Sequence, residues 1–593
     1  MGKAIKSFLT FVGGAVVAVL LIVAAGAVLY WHHRGAVPDR VVLELDLDRE
    51  FIEYVPNDPM ALAVLGAKPR LRDVVEGLER AAQDDRVAGL IVRLGRGPRG
   101  LGQIQELRDA VQTFRDSGKP AVAYAETLGA LGPANGVYYL ATGFDAVYLQ
   151  PMGMVAFTGL SIERPFFGDV MERLRLEPQF VSREEFKTAA NQLTESGYTE
   201  AHEEMDRVLM ELQYAQLVRG VAEGRGLPES VVRGLANEGP FSWEQAVEAG
   251  LVDGARYRDE VYEEVLAEAG DGAELMFLNE YLRRAGRLYD RGPVVALVHV
   301  TGPIVQDVSR YDPLFGEAVA GSRTIAKALR DAAEDDRVEA ILLRIDSPGG
   351  LAVAADAIHR EVARAREAGK PVVASMGNVA ASGGYYVAMS ADSIVAQPGA
   401  LTGSIGVLVG KVASEGMWEA IGVEWEYQDT SANASIWSPV RPFTENQQET
   451  VERLIDGIYT NFQEAVAEHR GLDPNRAGEW SKGRVFTGEE ARELGLVDEL
   501  GGLPAALRLV RREIGAEADA PIELKPFPRE KSLERLLVEG AFRKPPVNSE
   551  ESISGTAGFE GLTGPLQTGL RLLRDLRWSM EPGWLYTPVY LPE

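Results

Sequence analysis

The chain has 593 residues and a formal net charge of −27, and so acidic a protein is excluded as a binder of nucleic-acid backbones, which require a basic face. It has no cysteine, which excludes disulfides, thiolate nucleophiles and Cys-ligated metal sites. Hydrophobic residues make up 46% of the chain, enough for buried cores in the several domains its length implies.

Residues 8–31 carry no charge and are long enough to cross a hydrocarbon core as one helix. A secretory signal would have a shorter apolar region of about 7 to 15 residues followed by small side chains; here Leu29, Tyr30 and Trp31 close the run. The expectation is an uncleaved anchor within residues 1–34, with Lys3 and Lys6 favouring a cytoplasmic amino terminus. A β-rich run at 41–48 opens the body beyond it. A helix-patterned segment follows, then a buried-type strand at 89–94, more helix and a strand at 121–126. The same order returns with strands at 293–300, 340–345 and 371–377. Strands alternating with helices predict α/β units on a largely parallel sheet. The later part of each unit is helical, 199–224 matching 444–469, and polar residues at 545–563 read as a linker to a helix at 566–577 and an aromatic tail at 584–590.

These units are copies of one another. DDRV at 84–87 recurs 251 residues on at 335–338, GKP at 118–120 recurs at 369–371, and Tyr138 and Tyr139 recur as Tyr385 and Tyr386, 247 on. RGL at 225–227 and GLVD at 250–253 return at 470–472 and 495–498, both 245 on. Solenoid repeats have periods of about 20 to 50 residues, so this is duplication of a whole domain. The expected domains are 35–290 and 291–530, with 531–593 as linker and tail.

The second copy carries DSPGG at 346–350, straight after a buried strand. Adjacent glycines there leave N–H groups open to an oxyanion, although a plain turn has the same composition. AASGGYY follows, with Ser382 ahead of Gly383 and Gly384. A serine among small residues between a strand and a helix exposes its hydroxyl; an N-cap is the bland alternative. A nucleophilic serine needs a base, and the histidines are badly placed for it. His32 and His33 abut the anchor, His299 lies in a strand, and His202, His359 and His469 occupy charged, surface-like helical segments. A Ser-Lys arrangement is the natural substitute.

Matching the copies at 247 sets Asn135 opposite Ser382 and Lys187 opposite Ala434. The serine is present only in copy two and the lysine only in copy one. By helical periodicity alone Lys187 would be a surface residue paired with Glu184. As a base it must instead fall from a pKa near 10.4 to about 7.5, roughly 4 kcal/mol of differential solvation that only burial supplies.

With these motifs, and TGSIG at 402–406, the chain resembles the long-form signal peptide peptidase SppA family of bacteria along the anchor and both copies. That resemblance implies two tandem crotonase/Clp-protease-like domains behind one transmembrane helix, assembled as a homotetramer on the inner membrane with the body extracytoplasmic. It implies Ser382 as nucleophile, Lys187 as general base, Ser404 as a helper hydroxyl on the amine, and an oxyanion hole around Gly349, Gly350 and Gly383. The implied substrates are cleaved signal peptides, other hydrophobic peptides and misfolded envelope proteins. Before the lysine the family carries glycine and tyrosine, where this chain has Glu185 and Phe186.

Competing signals point elsewhere. GRGPRG at 95–100 fits G-x-G-x-x-G after a strand, yet its duplicate DSPGG has no such fingerprint, which argues against a nucleotide cofactor. No HExxH or clustered carboxylate motif occurs, so neither metal nor cofactor is expected. A CoA-dependent hydratase or isomerase of the crotonase type and an inactive membrane scaffold are the remaining alternatives.

Overall fold

The computed structural model describes residues 35–531, apart from 49–50, 96, 98–99, 131 and 314–315. The apolar run at 8–31, the linker at 545–563, the helix expected at 566–577 and the tail at 584–590 lie outside the described residues. Among the described residues no helix is long and apolar enough to cross a membrane.

Each copy is built on its own sheet. In copy one the spatial order is Gly254–Ala255, Ala146–Leu149, Ala121–Ala125, Val87–Leu94, Val41–Leu47, Glu274–Phe277, and every pairing is parallel. Copy two repeats this with Val372–Ala381, Val338–Ser347, Val294–Thr301 and Glu523–Phe527 side by side and parallel. The strand Leu401–Gly403 extends it, itself paired antiparallel with Val485–Thr487. The central strands are apolar runs buried on both faces, as parallel sheets covered by helices require.

The motifs that repeat prove to be structural devices. In each DDRV the first aspartate binds the arginine two residues on, Asp84 to Arg86 and Asp335 to Arg337. The GKP lysines, Lys119 and Lys370, donate to main-chain carbonyls at the strand and helix ends beside them. Tyr138 donates to the Leu251 carbonyl at 2.8 Å and its duplicate Tyr385 to Leu496 at 3.0 Å. The GLVD aspartates accept a strand N–H, Asp253 from Val147 and Asp498 from Ile394, and pair with Arg225 and Arg470. The long helices Glu200–Arg225 and Glu445–Arg470 start at Thr199 and Thr444, whose hydroxyls cap them, and stop at Gly226 and Gly471 in the left-handed conformation.

The copies dock through a buried charge cluster. Arg344, on the central strand of copy two, is 4% exposed. It donates to Glu53 at 2.9 and 3.0 Å and to Glu106 at 2.6 Å, both from copy one. Burial works against its charge, but the two carboxylates hold its pKa above the ordinary value. Glu106 also accepts the Leu503 N–H at 2.7 Å. Beside this cluster two glycines find their use: a Cβ on Gly100, the last of GRGPRG, would stand 2.4 Å from Asn378 of copy two, and one on Gly102, two residues further on, 2.8 Å from the Gly377 carbonyl. Those glycines serve close approach of the two copies.

Arg344→Ala should cost about 3–5 kcal/mol, because it strands two buried carboxylates without a counter-charge. Arg337→Ala, in an exposed pair, should cost far less, because solvent screens the pair. Urea unfolding of the two variants measures the contrast, and equal losses would contradict it.

Candidate active site

Ser382 stands at the junction of the strand Val372–Ala381 and the helix Gly383–Ala388, with φ 52° and ψ −117°. That backbone region is sparsely populated for any residue with a side chain. It is held by bonds on both sides, the Ser382 N–H donating to Gly403 O at 2.8 Å and its carbonyl accepting the Tyr386 N–H at 2.9 Å. Pairing of Ala381 with Gly403 brings Ser404 alongside. Ser404 also has positive φ, 49°, is 2% exposed, and donates its N–H to Arg484 O at 2.7 Å.

The lysine arrives from the other copy. Glu177–Ser182 of copy one pairs antiparallel with Leu408–Ala413 of copy two, and the Arg183 N–H continues the ribbon to Val407 O at 2.9 Å. The chain then turns through Glu184, φ 73°, and carries Lys187 inward. Its amine lies 3.0 Å from Ser382 Oγ, 2.9 Å from Ser404 Oγ and 3.0 Å from the Ser404 carbonyl. Lys187 is 4% exposed, and burial brings its pKa down to about 7. The helix-surface position that periodicity assigns it is not where it sits, because the segment is an irregular turn rather than a helix. Of its acidic neighbours, Glu185 points away into an ion pair with Lys482 at 2.9 Å. Phe186 is buried beneath the Arg484 guanidinium, 3.9 Å from its ring centroid.

Of the glycines, Gly349 and Gly350 take φ 109° and 150°, a loop no other residue type fits easily. A Cβ on Gly349 would lie 2.8 Å from the Gly383 nitrogen, and one on Gly383 3.2 Å from the Gly350 nitrogen. The amides of Gly350 and Gly383 therefore sit next to each other beside Ser382. The Gly349 N–H is turned to Ser347 Oγ at 3.2 Å, which leaves that glycine a shaping role.

The corresponding place in copy one is closed. Asn135 opens the helix Asn135–Ala141 as Ser382 heads its own, and its amide group bonds back to Thr158 and Gly159 at 2.8 to 3.1 Å. Ala434, opposite Lys187, is exposed on a turn of copy two. Among the described residues one complete set of groups is assembled, from both copies.

The model of peptidase family S49 matches residues 113–270 and again 364–517. The chain belongs to peptidase family S49. It is 31% identical to a chloroplastic serine protease SPPA of Arabidopsis thaliana over 77% of this chain and 67% of that one. It is 31% identical to Protease 4 of Haemophilus influenzae over 76% of this chain and 74% of the relative, and 29% identical to Protease 4 of Salmonella typhi over 74% and 71%. This S49 protein is thus a serine peptidase, matching its family twice along one chain.

Several groups in this S49 site carry no catalytic signature in the sequence. His202, read as a surface residue, is buried against Phe166 and Tyr198, in a recess beside Lys187; burial brings its pKa down to about 4. Arg484, which supports both Phe186 and Ser404, lies in a stretch with no catalytic motif. The signal available was the mismatch of SKGRVF at 481–486 with its duplicate ANEGPF at 236–241.

The lowered lysine pKa has a thermodynamic consequence. Between pH 7 and about 10 the unfolded chain holds a proton on Lys187 that the native state lacks, so this residue's contribution makes native stability rise with pH. Lys187→Met removes that term. Its stability relative to the parent should be most favourable at pH 6–7 and decline by roughly 4 kcal/mol towards pH 10, as pH-dependent denaturant titrations will show; a flat difference would mean the amine is not buried uncharged.

Proposed function

We propose that this S49 peptidase works through a Ser382–Lys187 dyad split between its copies. The observation that carries the reading is the 3.0 Å approach of a buried amine to the hydroxyl of a serine on a strained turn. A neutral amine has two N–H groups and one lone pair. With its N–H groups given to the two Ser404 oxygens, the lone pair is left for the Ser382 proton, which is the helper role assigned to Ser404. As Ser382 Oγ attacks the scissile carbonyl, Lys187 takes that proton and delivers it to the departing amine. The amides of Gly350 and Gly383 receive the oxyanion, within the loop that Gly349 shapes. Water, deprotonated by the same lysine, then attacks the acyl-enzyme and restores the serine.

The substrates in this reading are cleaved signal peptides, other hydrophobic peptides and misfolded envelope proteins. Exposed Leu351 and Val353, 54% and 59% accessible beside the glycine loop, offer apolar contact to an extended chain, and a similar protein of Enterococcus faecium is a putative signal peptide peptidase SppA. Residues 8–31 anchor the chain in the bacterial inner membrane, and the body faces the extracytoplasmic side.

The working assembly is a homotetramer. Duplication supports a head-to-tail interface. The helix Gly168–Arg173 corresponds to Glu415–Ala420 at 247, so 161–166 is the duplicate of Leu408–Ala413 and 424–429 that of Glu177–Ser182. Within one chain Leu408–Ala413 and Glu177–Ser182 pair, whereas 161–166 and 424–429 have no strand partner among the described residues. Pairing these between neighbouring chains repeats the same contact and closes a ring.

Ser382→Ala and Lys187→Ala should each lower kcat on the order of 10³-fold or more against a casein-type or hydrophobic peptide substrate. The parent's kcat/KM should fall as pH drops through about 7, where the amine gains a proton. Full activity in either variant would refute the dyad.

A further inference from the structure

How the lysine arm enters copy two is decided by two glycines that no catalytic motif contains. Gly483 has φ +75°, and a Cβ placed on it would stand 2.6 Å from the Lys187 nitrogen, 2.8 Å from its Cβ and 2.9 Å from its Cα. A Cβ on Gly406 would stand 3.1 Å from Lys187 Cδ and 3.0 Å from the Gly483 Cα. Gly483 thus crowds the root of the lysine side chain and Gly406 its stem. The same stretch ties the arm to its target. Lys482 O accepts the Phe186 N–H at 3.2 Å, the Gly483 N–H donates to Ile405 O at 2.9 Å, and Arg484 O accepts the Ser404 N–H at 2.7 Å. Three consecutive residues therefore fix the lysine backbone on one side and the Ser404 backbone on the other.

The duplication supplies an independent argument. Phe486 pairs with Thr402 in copy two as Phe241 pairs with Val155 in copy one, which sets Gly483 opposite Glu238, exposed at the end of the helix Glu229–Glu238. Gly406 has a glycine opposite it, Gly159, that a Cβ would leave in ordinary contact with Tyr214 at 3.9 Å. The glycine at 483 is found only in the copy that receives a lysine. A turn requirement common to both copies would have kept it in both.

We propose that Gly483, with Gly406, forms a slot in copy two that positions the Lys187 arm of copy one against Ser382. Gly483 is a positioning residue: it touches the lysine and no substrate. The proposal rests on the Ser382–Lys187 reading, so Lys187→Ala is assayed in parallel.

In the full chain, Gly483→Ala should lower kcat on the order of 10²-fold, the usual effect of misplacing a catalytic group by about 1 Å, with KM within about threefold of the parent. The acid limb of kcat/KM should move upward from about 7, because an amine pushed out of its enclosure is better hydrated. Gly406→Ala, whose backbone is not in the left-handed region, should give a smaller kcat loss, about tenfold, and the same direction of pH movement. Melting curves establish that each variant is folded, and where Gly483→Ala is not, Gly406→Ala decides on the same readouts. Folded variants with kcat near the parent's, or a loss confined to KM with the acid limb unmoved, overturn the slot. Activity in Lys187→Ala overturns the dyad itself, and the slot with it.

Discussion

Burial of one amine is the constraint on which the rest of this molecule depends. A lysine is a base near neutral pH only where water cannot reach it, and excluding water from a side chain four methylenes long requires walls on every side. Here the walls come from both copies: Phe186 and Ala189 travel with the lysine, while Ser404, Gly406 and Val485 receive it. The pKa of about 7 is therefore a property of the docked pair of domains.

That explains why the interface between the copies carries such costly parts. Two carboxylates and a guanidinium are taken out of water together at Glu53, Glu106 and Arg344, and separating them would strand a buried charge. Glycines 100 and 102 let the backbones approach next to it. The same docking register runs through the two-stranded ribbon that leads to Lys187. Rigid placement at the charge cluster and precise delivery of the lysine are two ends of one interface.

Much of this was legible from particular residues. Repeated motifs exposed the duplication because both copies use the same structural devices, such as the Asp84–Arg86 turn and the Tyr138 hydrogen bond. The asymmetric positions stood out for the converse reason: Ser382 against Asn135 and Lys187 against Ala434 are places where folding did not demand sameness. Lys187 could not be assigned to an interior by periodicity, because the turn around it has no regular period. His202 misled for a related reason, since a charged helix can still bury one turn beneath a neighbouring loop. Gly483 lay in the same asymmetric class as the lysine, but without its contact the glycine had no chemistry to announce it.

Composition and pattern alone determined an acidic, cysteine-free chain of two homologous α/β units, a serine followed by two glycines and a lysine without a duplicate, because these depend on local periodicity and on residue identity. Only the tertiary structure decided that the two groups meet at 3.0 Å and that Gly483 lies against the root of the lysine arm. Those facts are distances between segments some 200 to 300 residues apart, and such distances are set by how the copies pack, which no local pattern encodes.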